Sequence, residues 1–280
     1  MNYRAYWNTV KSRKHEVNED RLMFTEYTFM GDITIRLMVV ADGMGGMENG
    51  DTASRNAMTG FLESFYSETM KTYLDTKMEG YSLTYDVKTV QKVMVEAVKA
   101  ANRSVLRGAD RLEETGSTIS AVCIVENFAV AANVGDSPIY YYDSRKNKLT
   151  MVSQLQTEAE LRAVNGEYER YSREYYEDEH RLTNYLGGYG DQDKKDIVVN
   201  SIGRIKPGDV ILMGSDGAFG RTSEEQISLE LTDSLKDGEK EEVFLDNLFQ
   251  IARAEKEDDQ TAIMYIIEDE EETGADEEKE

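Results

Sequence analysis

The chain holds a single cysteine, Cys123, in 280 residues. No intramolecular disulfide can form, and such usage suits a reducing compartment, so a cytoplasmic location is expected. Histidine is nearly as scarce: His15 and His180 are the only two, which excludes a histidine-rich zinc site. No run of about 20 apolar residues is available to cross a bilayer, and no N-terminal apolar segment resembles a signal peptide. No membrane association is expected. Basic residues are outnumbered 32 to 55, for a formal charge of -23. That balance repels nucleic-acid phosphates and anionic lipid, so no nucleic-acid partner is expected either.

Other absences remove specific chemistries. Cys123 lies in the apolar run Ala121–Val125, and the position six residues on, where a cysteine-based phosphatase needs arginine, is Ala129. Cys123 therefore reads as a small buried hydrophobe. The glycine turn Gly43-Met44-Gly45-Gly46 has Glu48 at the third-glycine position of a dinucleotide fingerprint, and no Walker lysine follows it. It is no nucleotide loop.

What is present is the composition of a folded domain: 40% hydrophobic residues beneath a surface that is rich in charge, at 31%. Residues Glu268–Glu280 contribute -8 of the charge, leaving -15 on the body. This tail, 268–280, reads as acidic and disordered, and residues 1–267 as one domain.

Leu22–Phe29 and Ile33–Ala41 alternate as strands around Gly31-Asp32, a hairpin. Asp51 is a candidate cap for a helix carrying Ala53, Ala57, Met58, Phe61, Leu62 and Phe65 at helical spacing. A polar connection around Lys77–Thr84 leads to a second helix through Val90, Val93, Met94, Ala97, Val98, Ala101 and Val105. Strands follow at Ile119–Val125, Phe128–Val134, Ile139–Tyr142 and Lys148–Val152, spaced too closely for parallel pairing. The tyrosine-rich stretch 154–196 reads as a flap. A strand at Val210–Met213, helices from about Glu224 and Lys240, and a last strand at Thr261–Ile267 complete the chain. The fold class expected is α+β: two packed, mainly antiparallel sheets flanked by helices, an α-β-β-α sandwich.

Four carboxylates stand at strand ends: Asp20, Asp42, Asp216 and Asp258. One Asp-Gly at a strand end is usually a plain turn, but four acids from distant segments converging on one end form an oxygen-ligand set suited to Mg2+ or Mn2+.

The motifs Asn18-Glu19-Asp20, Val40-Ala41-Asp42-Gly43-Met44-Gly45-Gly46, Gly116-Ser117-Thr118, Ala132-Asn133-Val134-Gly135-Asp136-Ser137, Gly214-Ser215-Asp216-Gly217 and Asp258-Asp259-Gln260-Thr261 occur in an order that resembles the type 2C metal-dependent protein serine/threonine phosphatases. The resemblance covers about Asn2–Ile267 and is to a compact bacterial-type catalytic domain. It implies that Asp42 bridges two Mn2+ or Mg2+ ions, that the Gly43 carbonyl also ligates, and that Asp216 and Asp258 hold one ion. Glu19 and Asp20 match acids acting on the pair directly or through water. Asp136 matches a ligand of a weaker third ion. The implied activity is hydrolysis of phosphoserine and phosphothreonine in proteins by a water activated at the metal pair. Phosphorylated proteins, and a cognate serine/threonine kinase, are the implied partners of a monomeric enzyme. The competing reading is a catalytically weak regulatory or phosphopeptide-binding module of the same fold.

Three departures bear on that reading. The arginine expected to grip the substrate phosphate is replaced by His15, with Arg13 close by as a substitute, and histidine lacks arginine's bidentate fork. Gly220 stands where a further third-ion aspartate is common. Met44 cannot donate a proton to a leaving group.

Overall fold

The computed structural model describes residues 2–29, 33–44, 49–78, 86–108, 116–188 and 196–269. The turn residues Gly45 and Gly46, most of the Lys77–Thr84 connection, the flap residues 189–195 and the acidic tail from residue 270 lie outside the described residues.

The chain opens with β1 (Asn2–Val10), the paired strands β2 (Asp20–Phe29) and β3 (Ile33–Asp42), and the helices α1 (Gly50–Met78) and α2 (Val87–Gly108). Four strands follow: β4 (Ile119–Val125), β5 (Phe128–Val134), β6 (Ile139–Asp143) and β7 (Lys148–Met151). Short helices α3 (Glu158–Val164) and α4 (Arg173–Asp178) precede β8 (Val198–Arg204) and β9 (Val210–Gly214). The one-turn α5 (Asp216–Phe219), then α6 (Glu224–Ser234) and α7 (Gly238–Glu255), lead into β10 (Gln260–Glu268).

The strands form two five-stranded sheets, ordered β2-β3-β4-β5-β8 and β1-β10-β9-β6-β7, and every ladder is antiparallel. Central strands read as near-continuous apolar runs because both of their faces are covered. In β3, Ile35, Leu37, Val39 and Ala41 pack under the helices while Met38 and Val40 face the other sheet. In β10, Ala262, Met264 and Ile266 face the α6–α7 layer, and Ile263, Tyr265 and Ile267 face between the sheets. Cys123 is buried in the layer beneath α1 and α2, and burial raises its thiol pKa, as an inert core residue requires.

Helix α2 buries the expected stripe from Val90 to Val105. Helix α1 packs Phe61 and Phe65 inward, ring centroids 6.0 Å apart, each burial stabilising by roughly 1.5–3 kcal/mol. Asp51 lies in the first turn of α1 instead of capping it, since the helix already begins at Gly50. Elsewhere caps are made by Ser223 and Asp237, whose side chains accept from the Gln226 and Glu239 amides and stabilise α6 and α7 by about 1 kcal/mol each.

Register decides where the acids go. Asp20 pairs directly with Asp42, and the β4–β5 ladder ends at Ile119–Val134, next to Asp136. In the second sheet Gly214 pairs with Ala262, so Asp216 just after β9 and Asp258 just before β10 sit at the same end of the sandwich.

Candidate metal centre

The glycine turn is held by backbone. The Met44 amide donates to the Gly116 carbonyl at 3.1 Å and the Gly43 amide to the Glu19 carbonyl at 3.2 Å. A Cβ at Gly43 would lie 2.2 Å from the Gly50 carbonyl oxygen, so only glycine lets the start of α1 approach the end of β3 this closely. The Gly-Ser-Thr and Gly-Asp-Ser motifs form the wall behind. The Ser117 hydroxyl donates to the Asp42 carbonyl at 3.0 Å, the Asp42 amide donates to Thr118 Oγ1 at 3.1 Å, and the Thr118 and Ser137 hydroxyls are 2.7 Å apart. These bonds fix the backbone of Asp42 and leave its carboxylate to the cleft.

Asp20, Asp42, Asp136, Asp216 and Asp258 form one electrostatic unit. Burial, and then the charges of Asp20, Asp216, Asp136 and Asp258, push Asp42 well above the usual carboxylate range. Burial likewise pushes Asp20 up to about 7, against the opposing hydrogen bonds from Ser215 and Thr261, and Asp136 up to about 7. Asp20 Oδ2 accepts from the Ser215 hydroxyl at 2.7 Å, whereas the buried Asp20 Oδ1 and Glu19 Oε2 have no hydrogen-bond partner. These orphaned carboxylate oxygens, beside acids whose charges help raise Asp20, Asp42, Asp136 and Asp258, could hold a hard cation, and the donor set fits Mg2+ or Mn2+.

Lys256 and Asp259 join this end of the fold without any motif to announce them. Lys256 Nζ pairs with Asp216 Oδ2 and lies 3.3 Å from Asp258 Oδ2. Burial lowers its pKa, but Asp216, Asp258 and Asp136 outweigh that and hold it above the ordinary lysine value. Asp259, only 3% exposed, accepts from the Ser12 amide at 2.6 Å, the Glu19 amide at 2.8 Å and His15 Nδ1 at 2.9 Å. Burial lowers the His15 pKa, but the Asp259 bond and charge, with Glu19 and Asp258, raise it overall. His15, Glu19 and Asp259 also bring possible ligand atoms within 4.8 Å of one another. Asp259 is already engaged by three donors, so we read that group as a braced histidine.

The cleft is lined by Lys14, His15, Asp42, Gly43, Asp216 and Asp258 among others. Arg13 is exposed, its amide donating to Glu257 Oε1 at 2.9 Å, and its side chain is not among the cleft-lining residues. The exposed His180 and the half-buried Leu182 also line the cleft. A neighbouring cavity shares Asp136, Asp216 and Lys256 and is walled by the flap residues Tyr171, Tyr175 and Tyr176. Of these tyrosines Tyr175 is buried. Gly220, in left-handed backbone at φ 54°, offers no carboxylate beside Asp136.

The sequence model of the family described as Protein phosphatase 2C matches residues 9–264. The serine/threonine phosphatase stp of Listeria monocytogenes serovar 1/2a is 29% identical over 210 residues, 75% of this chain and 77% of that protein. Among solved structures, the Mycobacterium tuberculosis serine/threonine phosphatase PstP/Ppp superposes with a TM-score of 0.70 at 19% identity, covering 95% of this chain and 99% of that one. The catalytic domain of serine threonine protein phosphatase PstP in complex with two manganese ions gives 0.66 at 20% identity, covering 95% and 99%.

Proposed function

The chain belongs to the protein phosphatase 2C family, and from that premise we propose that it hydrolyses phosphoserine and phosphothreonine in protein substrates with two divalent cations, Mn2+ or Mg2+. Asp42, the Gly43 carbonyl, Asp216 and Asp258 would hold the ions, with Asp20 and Glu19 completing the acidic shell. Two such ions, when bound, lower the pKa of a water, neutralise phosphate charge and orient in-line attack.

The observation that carries this reading is the convergence of five aspartates around unpartnered carboxylate oxygens, with Asp20, Asp42, Asp136 and Asp258 raised by burial and by neighbouring acids. A site for a neutral or anionic ligand has no use for such a set, whereas a dication relieves it. A relative crystallised with two manganese ions supports the cation number.

The other residues have roles that follow from where they sit. Lys14 supplies positive charge at the cleft and His15 lines it; Asp259, by occupying His15 Nδ1, orients the imidazole and favours its charged form. That arrangement makes His15 a substitute for the missing arginine as a phosphate donor. Met44 lines the cleft but carries no transferable proton, so it cannot serve as the general acid. Asp136 without a carboxylate at Gly220 makes any third ion weakly held. No helix among the described residues is long and apolar enough to cross a membrane. A cytoplasmic enzyme acting as a monomer against a serine/threonine kinase is the setting we propose.

The test is turnover of a phosphothreonine peptide with added Mn2+ by the wild type, Asp42→Asn and Asp216→Asn. Activity that either variant abolishes is expected. A wild type that binds the phosphopeptide without turning it over would favour the binding-module reading instead.

A further inference from the structure

Lys256 follows α7 in extended backbone, φ -141° and ψ 120°, and its ammonium lies against two carboxylates, Asp216 and Asp258. The other lysine pairs of the fold are mostly surface contacts, such as Lys71–Glu68, Lys146–Asp143 and Lys240–Asp233, with lysine side chains 63%, 75% and 50% exposed. Lys256 is 25% exposed and forms part of the cleft wall. Its partners are the two acids proposed to hold a cation, and it contacts the Oδ2 atom of each.

An ammonium and a dication cannot share those oxygens without strong repulsion at close range. When no metal is bound, the lysine tethered at the end of α7 supplies the counter-charge to Asp216 and Asp258. We infer that Lys256 is an internal cation that occupies the Asp216–Asp258 pair in the metal-free protein and must leave it before a divalent ion binds. The lysine then sets how much free Mn2+ the protein requires: it stabilises the metal-free fold and weakens metal affinity by the same contact. This inference rests on the metal-centre reading above.

The experiment is a calorimetric Mn2+ titration of wild type, Lys256→Met and Lys256→Arg, with thermal unfolding of each in EDTA and in Mn2+. Lys240→Met, which removes a remote surface pair, is the control. Lys256→Met is expected to bind Mn2+ at least about tenfold more tightly, a gain of about 1.4 kcal/mol. Its melting temperature should fall in EDTA and recover with Mn2+, and Lys256→Arg, which keeps the charge, should bind as weakly as wild type. If Lys256→Met does not fold without metal, Lys256→Gln repeats the titration with a neutral polar side chain. Affinity of the neutral variants within twofold of wild type, or weaker, overturns the inference while leaving the metal centre standing. A wild type that takes up no Mn2+ overturns the metal centre itself, and this inference with it.

Discussion

Replacing Asp259 with alanine tests how the N-terminal segment is fastened to the centre. The carboxylate accepts the Ser12 and Glu19 amides and His15 Nδ1, so Asp259→Ala orphans two backbone donors and one ring donor together. A buried donor left without a partner costs about 1–3 kcal/mol. Ser12 is fully buried and Glu19 partly so, which places the loss at roughly 2–4 kcal/mol from the two amides. His15 adds a pH-dependent part. Its pKa is raised in the fold by Asp259, so its contribution is complete below the unfolded-state value and is lost as pH rises through the folded one. The His15 side chain is 22% exposed, and the pair is correspondingly modest. Urea unfolding in EDTA at about pH 5.5 and about pH 9, on either side of the histidine range, separates the two parts: the variant's deficit should be larger at the acidic pH and persist at the basic one. Asp259→Asn, which keeps one acceptor oxygen, should lose about half as much. A deficit below about 1 kcal/mol at the basic pH, with an unchanged m-value, would refute the assignment of these bonds.

Three further outcomes are expected. A Cβ at Gly217 would meet the Asp259 carbonyl oxygen at 2.0 Å, so Gly217→Ala should force Asp216 and Asp258 apart and weaken Mn2+ binding at least about tenfold, read by calorimetry. Asp20 and Asp136 are raised to about 7, so their protonated forms favour the fold. In EDTA the protein should lose stability as pH rises from about 4 to about 7, and the rise in melting temperature caused by Mn2+ should be larger at about pH 8 than at about pH 5. His15→Ala should raise KM for a phosphothreonine peptide about tenfold or more, whereas Arg13→Ala should leave it within about twofold; the reverse pattern would move the phosphate contact to Arg13.

The central strands were legible because burial on both faces leaves few polar residues in them, as in β3 and β4, whose burial is nearly unbroken. Of the edge strands, β2 and β7 are legible from alternation and bounding turn residues, whereas β1 and β8 carry little signal. β1 alternates partly buried and exposed positions, with Trp7 60% exposed, and β8 reads Val-Val-Asn-Ser-Ile-Gly-Arg with no fully buried residue; neither was anticipated from its residues. The short helix α3, which buries only Ala159 and Glu160, was hidden in the stretch 154–196 for the same reason.

The acids at strand ends stood out because register and glycine turns leave a pattern in sequence. Lys256 did not, since which of many basic side chains turns inward depends on where α7 ends relative to β9. Asp259 was masked by its neighbour Asp258: adjacent acids look alike in sequence, yet one faces the cleft and the other accepts from Ser12, His15 and Glu19. His15 itself was legible only as a missing arginine, and its bracing by Asp259 is a tertiary fact.

The most direct measurement of the central claim is a crystal structure of the protein grown with Mn2+ and recorded at the manganese absorption edge. Two anomalous peaks are expected, one on each side of the Asp42 carboxylate, with Asp216 and Asp258 on one of them. Manganese found solely at the His15, Glu19 and Asp259 group, with Asp42 unligated, would contradict it.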